Sequence, residues 1–463
     1  MNRREFIQLS AAAALAATAR PGNIIAADLK AVADDSATPA FWKLATTPPM
    51  GWNSYDSYGA MVTESQYFAN AQYMRDHLLP HGYQYAVIDY LWFDPWQAPR
   101  DIRHHGPLAM DRYGRLLPVT NKFPSARGGA GFQPVAEKIH AMGLKFGFHI
   151  MRGIPRQAVA ANTPIEGSTF TARDAADTHS TCTWNNDMYG VRGDTPAGQA
   201  YYNSLMRLYR QWNADFIKVD DLSRPYHKDE IHAIRGALNH FAPSIVFSTS
   251  PGATPVSEGT DIEHNANMWR IRDDFWDYWP LLDNMVDLVA AWRGFAGPGH
   301  WPDCDMICLG HIGAESVGGP RMTHFTMDEQ RLMMSMWAVA PSPLFLGMDL
   351  TKMDPWTLSL IANPEMLAVN QDPLGAQGMR IAKHGPLETW AKHLHDGDVA
   401  VALLNRGSNN GQHVTADWTS LGMPAKVVVR DIWNQRTLGE VANHVSLPVA
   451  GHGARLLRVS RVQ

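Results

Sequence analysis

The chain has 463 residues, 45% of them hydrophobic and 18% charged, with a formal net charge of −5 at neutral pH. That composition suits an ordinary globular protein with enough apolar material for a large core and a smaller second domain. The mildly acidic balance gives no electrostatic reason to bind nucleic acid or an anionic lipid surface, so neither partner is expected.

Residues 1–27 read as an export signal. Arg3 and Arg4 precede a weakly apolar, alanine-rich stretch from Leu9 to Ala17, and the small residues Ala26 and Ala27 follow. This is the layout of a twin-arginine-type signal, too short for a membrane span, and it predicts a periplasmic or secreted mature protein with no membrane contact. The competing reading is an N-terminal helix that stays on the protein. Cys182, Cys304 and Cys308 cannot all pair within one chain and lack the His-rich spacing of a zinc site, so no disulfide framework is expected; with no His-Glu-x-x-His and no phosphate-cradling Gly loop, no metal or other cofactor is expected either.

From Thr47 the sequence falls into strand-helix units. Pro48 to Ser54 predicts a first strand, followed by a helix from Glu64 to Leu78 capped by Thr63. Tyr85 to Asp89 is the second strand. A helix over Phe132 to Ala141 stops at Gly143, and Leu144 to Ile150 is the third strand. The segment Met151 to about Pro196 is too long for a plain connection and is read as rim of a pocket. A helix from Tyr201 to Trp212 leads into the short apolar run Phe216, Ile217, Val219, which ends in Asp220 and Asp221. Further strands are predicted at Ser244–Ser248, Met268–Arg270, Ala296–Trp301 and Pro343–Leu346, with a helix around Asp328 to Ala338 before the last.

Short apolar strands alternating with helices, and no Gly-rich first turn, favour a closed (β/α)8 TIM barrel over 28–375 rather than an open doubly wound sheet. Past Gly375 the period changes to strands joined by tight turns, as at Leu387–Ala391, Asp396-Gly397 and Val399–Leu404. Residues 376–463 therefore read as a separate antiparallel β-sandwich domain.

Asp89 and Asp220 fall at carboxyl ends of strands, where such barrels carry their chemistry. A second acidic cluster, Asp273-Asp274, follows the sixth strand. Two carboxylates on neighbouring strands facing one ligand is the arrangement that acid-assisted displacement at a sugar carbon needs. The 16 Trp and 14 Tyr suit sugar faces, although most belong in the core on general grounds. For Asp220 and Asp221 the bland alternative is helix capping.

Pro49-Met50-Gly51-Trp52-Asn53-Ser54, Lys218-Val219-Asp220, Trp269 to Asp274, Gly297 to Met306 and Asn370 to Gly375 occur in order across nearly the whole chain. Together they resemble the α-galactosidase (melibiase) glycoside hydrolases of family 27. The resemblance implies a retaining mechanism, with Asp220 as nucleophile and Asp274 as acid and then base; Asp273 is the rival for the second role. It also implies Trp52 at the sugar face, and Asp89, Lys218, Arg270 and Asp305 at hydroxyls. Arg270 has a structural alternative as ion-pair partner of Asp274. Lys218, on the same strand face as Asp220, is expected to lower its pKa, and Asp273, Phe275 and Trp276 to raise that of Asp274.

The chain also departs from that family. Tyr90 stands where a second acid usually follows Asp89, and His149 ends the third strand in place of a tyrosine. His149 either reads substrate or is a satisfied core histidine. Ser250-Pro251-Gly252-Ala253, small residues after the fifth strand, look closer to the α-N-acetylgalactosaminidase pattern, placing Ser250 at the substrate. The expected activity is release of terminal α-linked galactose. The same pair of acids also fits α-N-acetylgalactosaminidase, β-L-arabinopyranosidase or isomaltodextranase activity, and a non-hydrolytic carbohydrate-binding protein is the alternative of another class.

Overall fold

The structure, a computed structural model, describes residues 38–95, 107–250, 252–316 and 318–462; the expected export signal and Pro251 lie outside them. Eight short strands form one parallel curled sheet: β1 (Met50–Asn53), β2 (Tyr85–Ile88), β3 (Lys145–Met151), β4 (Phe216–Asp220), β5 (Val246–Thr249), β6 (Met268–Arg270), β7 (Trp301–Asp303) and β8 (Leu344–Leu346). They neighbour one another in chain order, and β8 pairs in parallel with β1. The ring closes just past β7, where Ile307 bridges Leu346 of β8 in parallel. This is a (β/α)8 barrel.

Local sequence sets where the outer helices begin. Thr63 and Gln66 form a capping box at the start of Glu64–Tyr73, Thr195 caps Pro196–Gln211 with proline in its first turn, and Thr326 with Glu329 caps Met327–Val339. Side chains on the strands alternate between the helix layer and the barrel axis. Tyr85, Phe216, Met268, Trp301 and Phe345 point inward and plug one end of the barrel. Two or four residues further along the same inward rows stand Asp89, Lys218, Asp220 and Arg270, so the polar groups emerge together at the carboxyl end. Gly51 is required inside this ring, because a Cβ there would sit 2.3 Å from the Tyr85 carbonyl oxygen.

The seventh strand forms later than the sequence suggests, at Trp301–Asp303 instead of Ala296–Trp301. Gly297 pairs with His300 in a tight turn, and Gly299 adopts φ +97° against Trp42, which leaves no room for a side chain. The 151–196 segment is also more ordered than an irregular rim. It holds a three-stranded antiparallel sheet of Ile154–Pro155, Met188–Val191 and Ala176–Thr181, and its tip brings Thr183 and Trp184 to the barrel mouth.

The C-terminal region supplies β9 (Met379–His384), β10 (Leu387–His393), β11 (Val399–Asn405), β12 (Gln412–Asp417), β13 (Lys426–Asp431), β14 (Arg436–Ala442), β15 (His444–Val449) and β16 (Gly453–Arg461). A six-stranded sheet in the order β9-β10-β11-β16-β13-β14 faces the two-stranded β12-β15 across Val401, Val414, Trp418, Val429 and Leu457. It is held to the barrel by Arg406, which pairs with Asp283 at 2.6 Å and Asp287 at 2.9 Å, and by His452 stacked on Trp279. All three cysteines are buried free thiols. Among the described residues no helix is long and apolar enough to cross a membrane.

Candidate active site

A cavity of about 450 Å³ opens at the carboxyl end of the barrel, and its wall includes Asp89, His149, Lys218, Asp220, Asp274 and Asp305. At its floor the buried Lys218 ammonium donates to Asp89 Oδ2 at 2.7 Å, and Asn53 Nδ2 donates to the same oxygen at 2.7 Å. Burial alone would raise the Asp89 carboxyl, but Lys218 and then His149 outweigh it and hold Asp89 well below the usual carboxylate range. Burial likewise opposes the charge on Lys218, and Asp89 reverses the effect. Both groups are therefore ionised, and Asp89 keeps a second oxygen that accepts from the Tyr90 backbone N–H.

Asp220 ends β4 with its side chain 5% exposed. Its partner is His149, whose Nε2 lies 3.0 Å from Oδ2; its Oδ1 accepts from the Asp221 N–H. Lys218 does lower the Asp220 pKa, as expected, but it does not set the outcome. Burial dominates and pushes the carboxyl up to about 7, while His149, more than Lys218, pulls it back. The physical reason is that Lys218 spends its contact on Asp89. His149 is thus neither a substrate reader alone nor a plain core histidine: it lines the cavity and touches the carboxylate. Asp221, also on the cavity wall, adopts the left-handed region at φ +62° and pairs with Arg152 at 2.9 Å, which in turn holds the buried Glu230 at 2.8 Å. It caps no helix.

Across the cavity, Asp274 stands at the mouth with 56% of its side chain exposed, 3.6 Å from Arg270. The neighbouring Asp273, also on the cavity wall, is held in an ion pair with Arg224 at 2.6 Å. Asp305, at φ +85°, accepts from the N–H of Phe275 at 2.7 Å and of Met306 at 2.6 Å, and forms a buried ion pair with Arg270. That places the residue after Asp274 under direct control of the loop following β7.

Three sequence-assigned substrate residues stand elsewhere. Trp52 is corrected to the core: alternation on β1 turns it outward, it is wholly buried against Tyr58 and Tyr67, and its Nε1 donates to the Met348 carbonyl. The aromatic that this loop does present to the cavity is Tyr55, three residues on. Ser250 is corrected from a pocket residue to a support, since its buried hydroxyl accepts from Arg270 Nη1 at 3.1 Å; Gly252 is the loop residue on the cavity wall. Arg270 itself is 1% exposed and lies behind Asp305, so it acts through its ion pairs with Asp305 and Asp274. Sequence reasoning passed over Asp56, Trp184 and Arg224, which also line the cavity. Only the length of the 151–196 segment hinted at Trp184. Tyr90, in the second-acid position, is fixed by Asn185 at its hydroxyl and packs edge-on to His149 at 5.5 Å between ring centres.

A parallel barrel whose mouth holds a buried Asp220 and an exposed Asp274 around a sugar-sized cavity, beside an ionised pair able to read hydroxyls, fits the glycoside hydrolases. The alpha galactosidase A family matches residues 189–372, and the alpha galactosidase C-terminal beta sandwich domain matches 384–459. The chain is 30% identical to an α-galactosidase of Coffea arabica over 89% of its own length and 93% of that protein's. It is 26% identical to an α-N-acetylgalactosaminidase of Gallus gallus over 85% and 88%. Among solved structures, a family 27 β-L-arabinopyranosidase of Geobacillus stearothermophilus, crystallised with arabinose, is 45% identical with a TM-score of 0.89, covering 92% of this chain and all of that one. The chain belongs to the α-galactosidase family, glycoside hydrolase family 27, and is a glycosidase.

Proposed function

We propose that this protein is a retaining exo-glycosidase that releases terminal α-linked galactose. The observation that carries the reading is that Asp220 and Asp274 share one cavity wall with the Asp89–Lys218 pair. In this reading ionised Asp220 attacks the anomeric carbon while Asp274 protonates the leaving oxygen; Asp274 then takes a proton from the water that hydrolyses the glycosyl-enzyme. Exposure of Asp274 at the mouth suits a group that meets first the leaving alcohol and then water. A buried charged pair reading hydroxyls discriminates sharply, because a wrong sugar leaves it unpaired. The test is hydrolysis of an aryl α-D-galactopyranoside followed by proton NMR. The α-anomer should appear first and Asp220→Ala should abolish turnover; full activity in that variant discards the assignment.

A second reading is favoured by Tyr90. α-D-Galactopyranose and β-L-arabinopyranose share the same ring hydroxyl arrangement, and the latter lacks the C6 group. A fixed aromatic ring in place of an acid at the end of β2 supports a preference for the smaller sugar. Comparing kcat/KM for the two aryl glycosides decides between them. From Arg3-Arg4 and the alanine-rich stretch we also infer export to the periplasm or medium, which cell fractionation of the full chain tests.

A further inference from the structure

Asp56 sits on the wall of the cavity, in the single helical turn Tyr55–Tyr58 after β1, and the mechanism above gives it no part. It is 1% exposed. Its Oδ2 is sealed against Gly347, where even a Cβ would stand 2.0 Å away, and no donor among the described residues reaches that oxygen. A carboxylate with one oxygen shut off from both water and donors carries a heavy desolvation cost. The charged groups acting on it are Asp305, Asp274 and Asp89, which oppose a further negative charge, and Lys218, whose ammonium is already engaged by Asp89. Burial first, and then Asp305, push the Asp56 carboxyl well above the ordinary range.

We propose that Asp56 is a specificity-determining residue: a neutral carboxylic acid that donates its O–H to a hydroxyl of the pyranose held in the cavity. Asp89 and ionised Asp220 only accept, and Lys218 already gives one N–H to Asp89, so a carboxylic acid on this wall supplies a hydroxyl that can both donate and accept, as sugar hydroxyls do. With Oδ2 closed off, Oδ1 is the oxygen that remains to meet the ligand. Gly347 belongs to the same device, since any side chain there would displace the acid.

The inference rests on the galactoside reading, and the test separates the two. Asp56→Asn keeps a neutral donor in the same shape and should hold kcat/KM on an aryl α-galactoside or β-L-arabinopyranoside within about threefold, whereas Asp56→Leu should lose about tenfold or more, mostly in KM. Infrared difference spectra of wild type against Asp56→Asn at pH 7 should show a protonated-carboxyl C=O stretch that shifts when galactose or arabinose is added. That measurement decides the matter even where the leucine variant does not fold. An active wild type in which Asn and Leu lose equally, or in which the infrared band is absent or unmoved by sugar, overturns the role of Asp56. A wild type inert on both glycosides instead removes the functional reading.

Discussion

Replacing His149 by phenylalanine removes the only side-chain partner of Asp220 recorded among the described residues while nearly conserving volume. The carboxyl is buried and already lifted to about 7, with His149 the first influence holding it down. A charge-assisted hydrogen bond of this kind contributes about 1.5–3 kcal/mol, or roughly one to two pKa units at 1.36 kcal/mol per unit. A nucleophile must be ionised, so activity is lost as pH falls through its pKa. Raising that pKa moves the loss to higher pH. The acid limb of the kcat/KM profile on an aryl α-galactoside should therefore shift alkaline by roughly one to two units in His149→Phe. At pH 6 the variant should fall about 10- to 100-fold below wild type, with far less loss at pH 9. His149→Tyr, which restores a neutral donor, should shift the limb less. A limb that stays put while the rate drops equally at every pH would refute the reasoning and leave His149 a packing residue.

Breaking the Asp89–Lys218 pair on one side, as in Asp89→Asn, should cost about 3–5 kcal/mol in denaturant unfolding, because the lysine is left charged and buried. Asp274→Ala should slow glycosides with poor leaving groups far more than activated aryl ones and respond to added azide, whereas Asp273→Ala, which removes a half-exposed ion pair with Arg224 and a long contact from the Ala253 N–H, should change stability by less than about 1 kcal/mol. Lys392, wholly buried where β10 meets the barrel, donates to the Ala338 and Val369 carbonyls and is pushed by burial down to about 7 from 10.5. Its folded pKa is depressed, so between pH 7 and 10 the unfolded chain binds the extra proton. Stability relative to Lys392→Met should then rise by up to ~1.4 kcal/mol per pH unit over that window, and a flat difference would contradict the assignment.

Much of this site could be read from the chain because an apolar run that ends in an acid announces both a strand and the end that matters. Asp89 and Asp220 were visible for that reason, and Asp305 through the Gly297-to-Met306 motif. Partnerships were not visible. Nothing local says that Lys218 would choose Asp89, 129 residues away, over Asp220 two residues along, or that His149 would take Asp220. A motif alone does not say which way Trp52 faces; the period-two alternation of β1 turns it toward Tyr67 and leaves Tyr55 at the cavity. For Ser250, chain proximity to the pocket does not distinguish a lining residue from one that braces Arg270 behind it. In the C-terminal sandwich, Val399–Asn405 is buried along its whole length and stood out, while Arg436–Ala442, largely exposed, carried too little apolar pattern to predict.

The most direct test of double displacement through Asp220 is to quench Asp274→Ala during turnover of an activated aryl glycoside and map the peptides by mass spectrometry. A single glycosyl residue on the peptide carrying Asp220 is the predicted result. An adduct on another acid, or none under conditions where aryl alcohol is released in a burst, would contradict the account.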